Sequence, residues 1–151
     1  MDLCFFPGTG LVSSAIRWWT SSPYSHVEFR FSDGRHWGAH PEQKATGWRT
    51  QKEPCHAVRL EVNEFQEARL LNFCVDETGC PYDWKGIFLA QMVNRARSHP
   101  DAWFCSEVCV AGLQVIGLLP SFIMPCTVSP GELFRVWTAL REEPGASKLV
   151  G

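Results

Sequence analysis

The sequence predicts an α+β fold, in which an antiparallel sheet packs against helices. Period-two alternation and turn signals dominate the first sixty residues, whereas apolar residues at helical spacing dominate the remainder. The 151 residues contain no visible internal repeat, and no shift in composition marks a second domain. The chain is therefore predicted to form one domain over residues 1–141, followed by a flexible tail over residues 142–151.

The strands are predicted from alternation and from flanking turn signals. They cover residues 3–6, 26–31, 35–39, 46–50 and 57–62. The second is the clearest, because Val27, Phe29 and Phe31 alternate with polar residues, as in a half-buried strand. Asp33-Gly34 is a hairpin signal, which predicts that the third strand returns beside the second.

The helices are predicted from apolar residues that recur every three or four positions. They cover residues 11–19, 63–75, 84–93, 101–118 and 133–140, with a polar loop at residues 95–100. Asp101 is a residue type that caps helices, so the fourth helix is predicted to begin there. Cys105 then lies in its first turns.

Composition excludes several classes of partner. The formal net charge is −2, whereas a nucleic-acid-binding domain carries a basic face. Lys and Arg are scattered, so no anionic membrane surface is indicated. The longest apolar stretch, residues 108–119, is too short to span a bilayer. The sequence does not indicate an oligomeric state.

Seven cysteines indicate a reducing compartment. The number is odd and no secretory signal precedes the first strand, so free thiols and a cytoplasmic site of synthesis are expected. The cysteines form no CxxC pair, so no metal site is predicted among them. No cofactor motif is present: the Pro7–Gly10 turn lacks the lysine ending of a phosphate-binding loop.

Cys105 and His26 are the two residue types that a cysteine nucleophile requires. A helix start offers partial positive charge and free N–H groups, which favour a thiolate over a thiol. A strand histidine can accept the thiol proton. The alternative for Cys105 is a structural role, since most buried cysteines are only small hydrophobes. Cys109, one turn later, is predicted to be such a core residue.

The face of the sheet that carries His26 bears on this pairing. His26 lies opposite the apolar face of Val27 and Phe29, so the Cys105 helix is expected on the His26 side. The backbone N–H of Cys105 is a natural donor to an oxyanion. Candidates for substrate contact are Tyr24, whose hydroxyl could approach the thiolate, its neighbour Ser25, and Trp37, which could line a cleft.

A third group should orient the imidazole through its second nitrogen. His40 is favoured because it lies on the return strand, where a neighbour of His26 belongs. His36 is an alternative on the same strand. Glu28 is the other alternative, although a separation of two residues along a strand puts it about 7 Å away.

Three motifs in this order carry a resemblance to a known family. They are SHVE at residues 25–28, PYDW at residues 81–84 and WFCSE at residues 103–107. Together they resemble the circularly permuted branch of the NlpC/P60 papain-like superfamily, with short phage and prophage members most similar. The likeness spans residues 3–125.

The resemblance implies a papain-like fold in which the histidine precedes the cysteine. It implies that Cys105 is the nucleophile and His26 the base. The third residue of the family is often a second histidine about a dozen residues after the first. This chain departs from that pattern, because Gly38 stands there between His36 and His40.

The resulting hypothesis is a cysteine peptidase or amidase that cleaves a peptidoglycan stem peptide. A wall substrate would be reached by lysis, in a phage particle or through a secretion machine. Relatives with this fold also include lipid acyltransferases, thioesterases and isopeptidases. A further alternative is an inactive binding or assembly module, which predicts that Cys105 and His26 lie far apart or that the cleft is plugged.

Overall fold

A five-stranded antiparallel sheet is the centre of the computed structural model, which describes residues 1–50, 54–83 and 102–142. Its strands are β1 (Asp2–Phe6), β2 (His26–Arg30), β3 (His36–His40), β4 (Ala45–Arg49) and β5 (His56–Arg59). Their order across the sheet is β4-β3-β2-β1-β5. The two hairpins β2–β3 and β3–β4 therefore lie side by side, and β1 joins them to β5.

The described residues also form four helices. They are α1 (Leu11–Thr20), α2 (Glu64–Asp76), α3 (Cys105–Val115) and α4 (Pro130–Glu142), with a 3-10 turn at Pro125–Thr127. The predicted α+β class is confirmed, and each strand predicted above is present with shifted ends. The helix predicted over residues 84–93, the polar loop at residues 95–100 and the tail after residue 142 lie outside the described residues.

Helix α3 begins at Cys105, later than the sequence pattern predicted. Trp103 forms a short parallel bridge with Tyr82, which holds the chain extended before the helix. Phe104 is still extended, with φ −108° and ψ 169°, and its N–H donates to the Glu107 carboxylate. The helix ends before Gly117, whose φ of 75° favours glycine.

Helix α3 packs along β2 on the apolar side of the sheet. The Sγ of Cys109 lies 3.8 Å from the carbonyl oxygen of Val27, and Gly112 faces the Phe29 ring. Cys109, Gly112 and Leu113 are fully or almost fully buried, as the sequence predicted for Cys109. Small residues on this face bring the helix axis close to the strand.

The seven cysteines are all free thiols, and five of them are buried, as expected. Burial raises the pKa of the Cys109 thiol well above its ordinary value, which is the behaviour of an inert core cysteine. Each helix within the described ranges is too short or too polar to cross a bilayer.

Gly112→Ala is expected to lower the free energy of unfolding by about 1–3 kcal/mol, because the added Cβ overpacks the core. That Cβ would lie 2.8 Å from Leu70 Cδ1 and 3.0 Å from the Phe29 ring. Urea unfolding measures the change. The intrinsic helix propensity of alanine acts in the opposite direction by up to about 1 kcal/mol. A stabilised variant would show that α3 does not contact β2 this closely.

Candidate active site

The β2–β3 hairpin brings three histidines to one buried carboxylate. Phe29 pairs with Trp37 across the two strands, and the same register puts Glu28 beside Gly38. A Cβ at Gly38 would lie 2.9 Å from the Cβ of Glu28, so glycine makes room for the carboxylate side chain. Continued further, the register sets His26 opposite His40, and their ring centroids lie 5.7 Å apart.

Glu28 is fully buried and carries two strong contacts. Arg49 Nε donates to its Oε2 at 2.8 Å, and His36 Nδ1 lies 2.8 Å from its Oε1. Burial alone would raise the pKa of this carboxyl. Interactions with His26 and Arg49 outweigh burial and lower the pKa of Glu28 to about 2. A carboxylate anion is therefore present at the base of the site at neutral pH.

His26 lies between this carboxylate and the thiol of Cys105. Its Nε2 is 3.6 Å from Glu28 Oε2, and its side chain is 15% exposed. Burial disfavours the charged imidazole, but a hydrogen bond to Cys105 and the approach of Glu28 act in the opposite sense and are together stronger. They raise the pKa of His26 to about 9. The imidazolium form is thereby favoured at neutral pH.

Cys105 is the first residue of α3 and lies where β2 begins. Its Sγ is 4.0 Å from the carbonyl oxygen of Ser25, and the residue is 3% exposed. The expectation that α3 must pack on the His26 side of the sheet is wrong. The helix packs on the Phe29 side, and its N-terminal end still reaches His26 because both residues lie at the same end of their elements.

Tyr82 is a neighbour of the thiol that the sequence analysis missed. Its hydroxyl interacts with Cys105, and the bridge from Tyr82 to Trp103 holds it beside the start of α3. Burial, followed by the proximity of Cys105, raises the pKa of Tyr82 well above its ordinary value. The hydroxyl therefore keeps its proton and can donate it in a hydrogen bond. Its signal in the sequence is the PYDW motif at residues 81–84.

Neither ring nitrogen of His40 is directed at His26. Its Nε2 lies 3.1 Å from the carbonyl oxygen of Gly47, and its Nδ1 faces Glu28 Oε2 at 3.7 Å. Burial and the positive charges of His26 and Arg49 lower the pKa of His40 to about 4, so the ring is neutral. His36 lies on the other oxygen of the same carboxylate.

Glu28 is the group that faces the second nitrogen of His26. The distance of about 7 Å expected between Glu28 and His26 is wrong, because backbone spacing along a strand does not give the distance between side-chain ends. The two side chains on the same face lean toward each other and meet at 3.6 Å. Arg49, which nothing in the sequence singled out, holds the carboxylate in place from β4.

The three residues expected to contact substrate have other partners. The Tyr24 hydroxyl is hydrogen-bonded to His56 Nδ1. The Ser25 hydroxyl donates to the carbonyl oxygen of Pro7 at 2.9 Å. Trp37 is fully buried on the apolar side of the sheet, where its Nε1 donates to Thr78, so the expectation that it lines a cleft is wrong.

No protein-family model, curated protein or solved structure matches the chain. The geometry of the site therefore carries the functional argument.

Arg49→Gln is expected to lower the free energy of unfolding by about 3 kcal/mol, because it removes a charged partner from a buried carboxylate. Chemical denaturation at neutral pH measures the loss. The matched control is Arg35→Gln, since the ion pair of Arg35 with Asp33 is about half exposed and should contribute much less to stability. Equal losses in the two variants would contradict a role for Arg49 in compensating the buried Glu28 carboxylate.

The pKa of His26 predicts a pH-dependent stability. In the folded protein His26 keeps its proton up to a pKa of about 9, whereas the unfolded chain releases it near 6.5. The folded state thus binds more protons in this interval, so stability is lost as the pH rises from 6.5 through 9. Thermal unfolding across that range tests this, and His26→Gln should flatten the dependence. If the stability of His26→Gln falls with pH as steeply as that of wild type, groups other than His26 cause the loss of stability.

Proposed function

We propose that this protein is a cysteine hydrolase in which Cys105 is the nucleophile and His26 is the general base. The observation that carries the proposal is the contact between a thiol at a helix N-terminus and an imidazole whose Nε2 faces a buried carboxylate. This is the arrangement of nucleophile, base and orienting group that covalent acyl transfer uses.

Acylation follows from this geometry. The thiol proton resides on His26 when Sγ of Cys105 attacks the carbonyl carbon of an amide, so that a carbon–sulfur bond forms. The tetrahedral intermediate then collapses as the carbon–nitrogen bond breaks. The amine leaves with the proton that His26 returns, and the acyl group remains on sulfur as a thioester.

Hydrolysis of the thioester completes the cycle. His26 accepts a proton from water, whose oxygen attacks the acyl carbon. The carbon–sulfur bond breaks, the carboxylic acid is released, and the proton on His26 again pairs with the thiolate of Cys105. No oxidant or reductant is needed in either half.

Two neighbours have supporting roles in this scheme. Glu28 is a positioning residue, because its carboxylate faces Nε2 and leaves Nδ1 of His26 available to the thiol. The Tyr82 hydroxyl and the backbone N–H of Cys105 are donors on the thiol side of the site. They can stabilise the oxyanion of the tetrahedral intermediate.

The substrate class is proposed from the resemblance to the permuted NlpC/P60 superfamily. The α+β fold, with a histidine strand that precedes the cysteine helix, supports a permuted papain-like fold. On this basis the substrate is a peptide or amide bond of a peptidoglycan stem peptide. The lipid acyltransferases, thioesterases and isopeptidases of the same fold use the same pair of residues on other acyl groups.

The burial of Cys105 favours a second candidate, an assembly or binding module without turnover. The residue is 3% exposed, which corresponds to the plugged cleft that an inactive relative would show. Substrate access to the thiol distinguishes the two candidates.

The direct test is hydrolysis of defined stem peptides, acyl thioesters and ubiquitin-like isopeptides by the purified protein, followed by mass spectrometry. Wild type should cleave one class, and Cys105→Ala should abolish turnover. Cys55→Ala is the control, because Cys55 is a half-buried cysteine outside the site. Turnover that survives in Cys105→Ala would refute the mechanism. A folded wild type that fails to react with all three classes and with a thiol-directed electrophile would favour the module.

The two tyrosines of the chain allow a matched comparison. Tyr82→Phe is expected to lower kcat by about 10- to 1000-fold, because an oxyanion donor is lost. Tyr24→Phe should retain the rate, because the Tyr24 hydroxyl binds His56. The comparison uses the substrate class identified above. A larger loss of kcat in Tyr24→Phe than in Tyr82→Phe would contradict this assignment, since it would make Tyr24 and not Tyr82 the oxyanion donor.

A further inference from the structure

His26, Glu28 and His40 form a cluster of three metal-ligand types beside the thiol. One donor atom from each lies within 4.8 Å of the other two. His26 Nε2 and His40 Nδ1 lie 3.6 Å and 3.7 Å from the same carboxylate oxygen, Glu28 Oε2. Ligand atoms around a tetrahedral zinc ion are roughly 3.3 Å apart, since its bonds to nitrogen and oxygen are about 2.0–2.2 Å long. A small contraction of the cluster would satisfy that geometry.

Two nitrogens of this cluster are buried without a hydrogen bond. Within the part of the chain that the structure describes, neither His26 Nε2 nor His40 Nδ1 has a hydrogen-bond partner. The side chain of His40 is only 1% exposed, so solvent does not satisfy Nδ1. Buried polar atoms are nearly always paired in proteins, and an unpaired one calls for an explanation, such as a bound ion or water.

The tautomer of His40 leaves a lone pair on Nδ1 that can bind a metal ion. Its Nε2 lies 3.1 Å from the carbonyl oxygen of Gly47, an acceptor, so Nε2 carries the hydrogen of the neutral ring. Nδ1 then has no hydrogen and faces a carboxylate oxygen with its lone pair. Two electron-rich atoms at 3.7 Å repel each other, and a cation between them would remove that repulsion.

The surrounding contacts match those that support a metal ligand set. A ligating histidine usually donates its other N–H to a backbone carbonyl, as His40 does, and a ligating carboxylate is itself held by hydrogen bonds. His36 and Arg49 hold the two oxygens of Glu28. Arg49 also brings a positive charge, which opposes a second cation and limits its affinity.

We propose that His26 Nε2, His40 Nδ1 and Glu28 Oε2 bind a divalent transition-metal ion of the zinc class. Imidazole and carboxylate ligands suit zinc, and three protein ligands leave a position for water. Cysteine spacing does not reveal this cluster, which the β2–β3 hairpin assembles. Because the metal occupies His26, it should also inhibit hydrolysis, a consequence that rests on the proposed function.

The probe is Zn²⁺, titrated into the full-length protein with a phosphine reductant, while the ring nitrogens of the histidines are followed by NMR. Resonances of His26 Nε2 and His40 Nδ1 should shift together and saturate with one equivalent at this site, whereas those of His56 should not. His40→Gln keeps a donor for the Gly47 carbonyl but lacks Nδ1. It should weaken zinc binding at His26 by more than the roughly 10–100-fold that loss of a supporting contact costs.

The matched control is His56→Gln, which should bind zinc at the cluster as wild type does. Glu28→Gln is the second ligand variant if His40→Gln does not fold, and thermal unfolding without metal identifies folded variants. Zinc shifts at His26 that persist in a folded ligand variant would overturn the proposal. So would an absence of shifts at His26, or zinc binding that Cys105→Ser abolishes. Zinc binding by a protein without hydrolytic activity would support the metal site and count against the proposed function alone.

Discussion

The buried carboxylate of Glu28 is the constraint on which the rest of the site depends. An ion removed from water costs several kcal/mol unless close partners compensate it. Arg49 and His36 provide that compensation at 2.8 Å, and His26 adds a third contact. These partners come from β2, β3 and β4. The buried Glu28 carboxylate therefore depends on the register of these strands, and its charge in turn favours that register over others. A shift of one residue in β3 would turn His36 and His40 to the apolar face.

The second requirement is the close packing of α3 on β2. Cys105, Cys109 and Gly112 follow one face of the helix, and the last two contact the strand at Val27 and Phe29. This alignment brings the first residue of the helix to the first residue of the strand. The thiol thus meets His26 at the end of two elements rather than across a face of the sheet. The core of the fold and the chemistry of the site consequently share the same contacts.

Local patterns were sufficient to predict the five strands and the four described helices. Alternation of apolar residues predicted β2, and helical spacing predicted α2, whose start at Asn63 forms a capping box with Gln66. The beginning of α3 was misplaced, because a distant bridge to Tyr82 keeps Trp103 extended, and no local pattern reports such a bridge.

The site was only partly predictable for the same physical reason. Cys105 and His26 could be proposed from residue type and position alone. The short distance between the side-chain ends of Glu28 and His26 depends on the length and direction of the side chains. The spacing of the backbone along the strand does not reveal it. Arg49 reaches the carboxylate from β4, and Tyr82 reaches the thiol from a short bridged segment. Both contacts arise from tertiary pairing between segments that are separated in the sequence.

The ion pair between Cys105 and His26 is the central claim, and a titration of the His26 ring nitrogens by NMR tests it most directly. In wild type His26 is predicted to titrate with a pKa of about 9. In Cys105→Ser the value should fall, because the interactions with Cys105 that raise the pKa of His26 are lost while the size of the side chain is nearly kept. A His26 that titrates near or below 6.5 in both proteins would contradict the account, since the thiol and imidazole would then not be paired.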